Sequence, residues 1–245
     1  MGRAIDTELM EAAPRGVPDR VIILANCQES WQSVDMDIAS PLRSLVPTME
    51  SEVLGVLAGT QAAMSIAQIT AVASRGSRQG LTLALARLVE HGLVTATPAN
   101  RGSMYSLNRD HVLADALLAA LEARGVFLDR LSDAVHSLSP RPLHVSIFGS
   151  FARHEGGPDS DIDLLFVLPR GCAVDAQWEA QVRDLGEQVF AWTGNRMEHI
   201  AYAEDELLEV VKTNAAIVES WRTEALTVHG LDVASLLNRE AQVDV

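Results

Sequence analysis

Two aspartates stand one residue apart in the stretch 144–169, HVSIFGSFARHEGGPDSDIDLLFVLP. Asp161 and Asp163 alternate with Ile162, Leu164 and Phe166. Residues i and i+2 of a strand point to one face, so this spacing predicts both carboxylates on one side and Ile162 and Leu164 on the other. Adjacent carboxylates repel, and a fold that sets them side by side usually places a cation between them. Upstream, His144–Phe148 predicts a first strand, and Gly149-Ser150 follows it. Backbone N–H groups and a hydroxyl at such a turn can hold phosphate oxygens. A phosphate cradle beside a hard-cation site suits metal-assisted phosphoryl or nucleotidyl transfer.

The order Phe148, Gly149, Ser150, ten residues (151–160), Asp161, Ile162, Asp163, Leu164 resembles the signature of the DNA polymerase β-like nucleotidyltransferase superfamily. Ala152-Arg153 and Ser160 extend the resemblance to its minimal nucleotidyltransferase branch, whose usual string is GSxARG…SDIDL. His154 departs from that string, standing where the branch usually has Gly. The resemblance implies a catalytic domain with a small mixed sheet flanked by helices. It implies two Mg²⁺ ions on Asp161 and Asp163, and an NTP, ATP by preference, as substrate. Gly149, Ser150, Arg153 and Ser160 fall at the nucleotide-binding positions. A third catalytic and metal-binding carboxylate is needed on a neighbouring strand, and Glu198 in GNRMEHIAY fits it. The register of that strand, and so the face Glu198 takes, is open at this level; a plain surface position is the alternative.

Elements must hold these groups in place. Asp175–Trp192 carries Trp178, Val182, Leu185, Val189 and Phe190 at helical spacing. Gly194-Asn195 then turns the chain into a strand over Arg196–Tyr202, and Ala203–Thr213 and Ala215–Val228 read as closing helices. Glu204, Asp205 and Glu206 open the first of these and suit its dipole better than a metal.

The N-terminal half has a different pattern. Glu50–Gly59, a segment from Ser65, and Arg78–His91 predict three helices, the last with a Leu81, Leu85, Leu88, Val89 stripe ended by Gly92. Leu93–Ala96, a polar turn and Met104–Leu107 predict a hairpin. LARLVEHGLV followed by RGSMYSLN resembles the third helix and wing of bacterial winged-helix regulators. That resemblance implies DNA contacts by Ser74, Arg75, Ser77, Arg78 and Thr82, with Arg101 on the wing; a winged helix serving protein contacts alone is the alternative. Gly80 lies inside the third helix, where glycine costs about 1 kcal/mol relative to alanine. Asp110 is placed to cap a long helical region, interrupted near Gly125, whose Val112–Val135 face suits the catalytic sheet or a homodimer.

The expected architecture is therefore α+β. Residues 36–110 form a winged helix-turn-helix, 111–140 a helical linker and 141–245 a polymerase β-like nucleotidyltransferase domain. Residues 1–35 lack periodicity and read as a disordered arm or an over-extended translation start. Net charge is −14, and the only lysine is Lys212. Residues 51–110 carry five Arg against three acids, whereas 141–245 carry eight basic against eighteen acidic residues. This excludes a generally nucleic-acid-coating protein. Cys27 and Cys172 are too few for a disulfide framework or thiolate metal site, and fit a reducing cytoplasm. Val21–Ala25 is too short to cross a membrane. The acceptor stays unidentified: a small hydroxylated molecule, a protein hydroxyl or an RNA end. A transcription regulator or a toxin–antitoxin component, with the transferase domain used for nucleotide sensing, is the competing reading.

Overall fold

The computed structural model describes residues 36–237 apart from 38, 39, 101, 154, 156, 158, 159, 214 and 234. The expectations for residues 1–35, Cys27, Arg101 and His154 lie outside the described residues. All described residues belong to one unit by their internal contacts.

The first core is built by α1 (Pro41–Leu45), α2 (Met49–Ala58), α3 (Ile66–Val72) and α4 (Arg78–Glu90). They close on a small sheet of β1 (Met64–Ser65), β2 (Val94–Ala99) and β3 (Gly102–Leu107), in the order β1-β3-β2. Val53, Leu57, Ile69, Leu81, Leu85 and Leu88 are buried together. The start of α3 is fixed by sequence: Ser65 and Gln68 form a reciprocal capping box, an arrangement worth about 1 kcal/mol. No contact accounts for Gly80, since an added Cβ would meet Ser77 and Met49 only at ordinary distances.

Glu52 ties this unit together. It is buried on α2 and accepts hydrogen bonds from Arg43 Nε at 2.8 Å, Ser74 Oγ at 2.9 Å and Arg75 Nε at 3.1 Å. Burial pushes its carboxyl up, but the Arg43 and Ser74 hydrogen bonds and the Arg43 charge outweigh that, and the group titrates below the usual glutamate range. A depressed native pKa contributes stability above the unfolded-state value and loses it as pH falls through the native one. Glu52→Ala removes the carboxylate shared by Arg43, Ser74 and Arg75, leaving Arg43 its ion pair with Asp37, and we expect it to cost roughly 1–3 kcal/mol at neutral pH. Urea melts should show this cost shrinking as pH drops below about 4; a neutral-pH loss under about 0.5 kcal/mol would contradict the role.

The second core surrounds a four-stranded sheet. Its strands are β4 (His144–Phe148), β5 (Ile162–Leu168), β6 (Met197–Ala203) and β7 (Leu226–Gly230), in the order β6-β5-β4-β7. β5 and β6 are parallel and the other pairs antiparallel, so the sheet is mixed. One face packs on α6 (Ala123–His136) and α8 (Ala176–Thr193), with Phe127, Leu131, Ile147, Leu164, Phe166 and Trp178 buried there. The other face takes α9 (Glu204–Thr213) and α10 (Ala215–Glu224), where Leu165, Val167, Leu207, Val218 and Trp221 are buried. The long α8 is the crossover that a parallel pair requires. Asp175 caps it, accepting from the Gln177 and Trp178 amides at 3.0 and 2.9 Å.

Four local expectations are corrected. Asp110 caps no helix: α5 (Ala114–Leu121) begins later, after Leu113, with no side-chain cap. The helical break falls at Glu122, and Gly125 lies within α6. Phe190 turns outward on α8, 50% exposed, beside the buried Val189. The last predicted helix stops at Glu224, and Leu226–Gly230 becomes β7, because Leu226 and Val228 find the sheet core by pairing with β4. The Val112–Val135 face is largely spent inside the chain: Leu117, Phe127, Leu131 and Val135 are buried, while Val112, Leu113 and Val126 remain exposed. Among the described residues no helix is long and apolar enough to cross a membrane.

Candidate active site

The carboxylates gather where three adjacent strands meet the α7 turn (Gly149–Ala152). Ile162, Leu164 and Phe166 of β5 face the α6/α8 core, so the alternating Asp163 shares the opposite face with Leu165 and Val167. Asp161 immediately precedes β5, two residues before Asp163, and is exposed. Asp163 is paired in register with Glu198 on β6. Met197 and Ala201 pack toward α8, whereas Ile200 and Tyr202 pack toward α10. Glu198 therefore lies on the same face as both Ile200 and Asp163, which is the register that the sequence left open.

Local hydrogen bonds hold this register. The Ile162 amide donates to the Arg196 carbonyl at 2.8 Å. Asn195, fully buried, donates through Nδ2 to the Ser160 carbonyl at 3.1 Å. Gly194 ends α8 at φ 79°, a left-handed conformation that glycine adopts without a steric penalty. The Ser160 hydroxyl accepts the Gly157 amide at 2.9 Å, so it shapes the loop before Asp161.

Gly149 follows β4 at φ 72°, and a Cβ there would collide with the Asp163 carboxylate. The Gly149 turn and Asp163 thus approach each other closely. The turn is anchored from below. Phe151 is 1% exposed, lies 5.7 Å from the Phe127 ring, and is covered by the Arg124 guanidinium at 4.4 Å. Ser150 is half-buried, and its carbonyl accepts the Glu155 amide at 2.9 Å. Arg153 ends the turn and is exposed, paired with Glu155 at 2.7 Å and Glu224 at 2.8 Å.

Burial pushes the Asp163 carboxyl above the usual aspartate range, and the negative charges of Asp161 and Glu198 push it further, against a smaller pull from Arg153. Burial is the larger cause and like-charge repulsion adds to it. Among the described residues, no three His, Cys, Asp or Glu side chains converge closely enough to define a metal centre unaided. The donor chemistry is nevertheless that of a hard cation, since all three groups are carboxylates. A groove of about 490 Å³ runs between α8 and β6, and Glu198 borders it with Arg183, Gly186, Phe190, Arg196 and Met197.

The N-terminal positions singled out for DNA divide into two groups. Ser74 and Arg75 bind Glu52, and Ser77 caps α4 by accepting the Gly80 amide at 3.1 Å. Arg78 and Thr82 lie on the exposed side of α4, with the Thr82 hydroxyl donating to the Arg78 carbonyl at 2.7 Å. Sequence reasoning missed Glu52 and Glu224, two carboxylates that engage singled-out residues from far along the chain, where nothing local marks them.

Residues 128–221 match the family of the nucleotidyltransferase domain. The match begins within α6 and ends at Trp221 of α10, so this segment carries a nucleotidyltransferase domain. No curated protein matches the chain. Solved structures that resemble it include two toxin–antitoxin structures. One is a toxin–antitoxin complex with AMP-PNP, 12% identical, covering 47% of this chain and 85% of that chain at a TM-score of 0.35. The other is a mutant of the toxin–antitoxin MntA–HpeT, 10% identical, covering 47% and 84% at a TM-score of 0.34.

Proposed function

We propose that the protein transfers a nucleoside monophosphate from an NTP, ATP by preference, to an acceptor hydroxyl, in a Mg²⁺-dependent reaction. The carrying observation is that Asp163 touches the Gly149 turn on one side and stands in register with Glu198 on the other. In this reading Gly149 N–H and the Ser150 hydroxyl hold triphosphate oxygens, and Arg153 neutralises their charge. Ser160 sets the loop that presents Asp161. Asp161, Asp163 and Glu198 would hold two Mg²⁺ ions, whose chemistry is to neutralise phosphate charge and acidify the acceptor hydroxyl.

The strand order supports an in-line displacement. The phosphate turn follows β4, Asp163 is on the central β5, and Glu198 is on β6. In this reading the leaving pyrophosphate lies over the turn after β4, and the acceptor approaches over β6 on the face that Glu198 shares with Asp163. Glu198 takes the acceptor proton, the freed oxygen attacks the α-phosphorus, and the bond to pyrophosphate breaks.

The N-terminal unit, in which α2, α3 and α4 are followed by the β2–β3 hairpin, is read as a winged helix-turn-helix that contacts DNA through Arg78 and Thr82, the two singled-out residues on the open side of α4. Ser74, Arg75 and Ser77 then serve its packing. Incubating the purified protein with each α-labelled NTP, Mg²⁺ and cell extract tests the transferase reading. Label on a protein, RNA or small-molecule fraction names the acceptor class; absence of label from every fraction, with ATP still bound, moves the reading to a nucleotide-sensing DNA-binding regulator.

A further inference from the structure

Arg153 has two anionic partners within the chain, Glu155 and Glu224, and the second comes from outside the matched family segment. Glu224 ends α10, three residues beyond position 221. Its Oε2 accepts Arg153 Nη1 at 2.8 Å and also the Ser220 hydroxyl at 3.2 Å. The placement is built into the fold. One turn earlier, Trp221 is fully buried, 6.2 Å edge-on to Phe148, the residue immediately before Gly149, and 6.2 Å from Tyr202. The anchor that seats α10 on the sheet thus also sets Glu224 over the phosphate turn.

We propose that Glu224 competes with the triphosphate for Arg153: it engages the guanidinium and gives way when NTP binds, thereby setting nucleotide affinity. This rests on the assignment of Arg153 to the triphosphate. A guanidinium meets a phosphate best with two parallel N–H groups, and here Nε and Nη1 are already committed to Glu155 and Glu224. Glu155 is two residues away and moves with the loop, whereas Glu224 belongs to a separate helix and must let go. The pair suits exchange because it is partly open to water, with side chains 40% and 30% exposed, and exposed ion pairs are weak. A competitor of this kind keeps the site from presenting a bare cation to smaller anions, and couples nucleotide binding to release of the α10 end.

Calorimetric titration of the full chain with Mg·ATP tests it. Glu224→Gln should tighten ATP binding about two- to fivefold, the scale of a surface ion pair, with the gain shrinking at high salt. Adenosine, which lacks the phosphates, should bind both proteins equally. In an Arg153→Ala background the Glu224→Gln gain should vanish. Glu224→Asp, which keeps the charge with a shorter reach, gives a second reading if the glutamine variant folds poorly, and should fall between wild type and Glu224→Gln. Unchanged or weaker ATP binding by Glu224→Gln, with wild-type binding intact, overturns the proposal and makes Glu224 a support for Arg153 instead. Failure of the wild-type protein to bind ATP at all overturns the transferase reading itself.

Discussion

Replacing Asp163 with Asn should lower nucleotidyl transfer by at least about 10³-fold while leaving the fold intact and the metal-free protein more heat-stable than wild type. The two effects have one cause. Asp163 is squeezed between burial and the charges of Asp161 and Glu198, so that its ionised form is disfavoured in the native state. A group whose native pKa is raised contributes stability at low pH and loses it as pH climbs through that value. At neutral pH the wild-type site therefore carries the cost of a partly buried charge and of its repulsion by Asp161 and Glu198, only partly offset by Arg153, and the amide removes it. On the proposed function, Mg²⁺ held by the native site would relieve the same cost, since a ligand that binds only the native state stabilises it. Differential scanning calorimetry should show a Mg²⁺-dependent rise in Tm for wild type that the variant lacks. Retained turnover, or a metal-free variant less stable than wild type, would contradict this account of Asp163.

The second large effect is expected at Gly149. Its φ of 72° is left-handed, and a Cβ would overlap the Asp163 carboxylate. Gly149→Ala must either twist the turn out of that region or push Asp163 aside. The strain should cost about 1–3 kcal/mol, which Phe151, buried beneath the turn, allows the fold to absorb. Activity has less latitude, because a misplacement of about 1 Å in a reacting group can cost roughly 10²-fold. We expect transfer to fall by about that factor or more with the secondary structure unchanged by circular dichroism. An Ala variant with wild-type kcat/KM would show that the close approach of turn and aspartate is incidental.

The residues around Gly149 and Asp163 were legible from sequence because chemistry fixed their spacing and a strand's period of two fixed their facing. The Arg78–Glu90 helix was legible for a similar reason, since its leucine stripe is a local pattern. What escaped depended on partners far along the chain. β7 pairs with β4 across about eighty residues, with a register shift near Val145 and Ser146, and Leu226–Gly230 alone extends a helical pattern as readily as it forms a strand. The register of β6 is set through the α8 crossover by Asn195 and Arg196, so nothing within GNRMEHIAY fixes the face of Glu198. Arg75 and Ser74 looked available to DNA because Glu52, more than twenty residues earlier, is not visible as their partner until the helices pack. Phe190 fits the apolar stripe of α8 by spacing, yet the stripe is already filled by Val182, Leu185 and Val189.

The most direct test of the central claim compares the fate of two labels. Purified protein is given Mg²⁺ and ATP labelled either on the α- or on the γ-phosphate, with the acceptor fraction present, beside Asp163→Asn. Nucleotidyl transfer predicts α-label on the acceptor, γ-label released as pyrophosphate, and neither event with the variant. Appearance of γ-label on the acceptor, or equal transfer by the variant, would contradict the proposed chemistry.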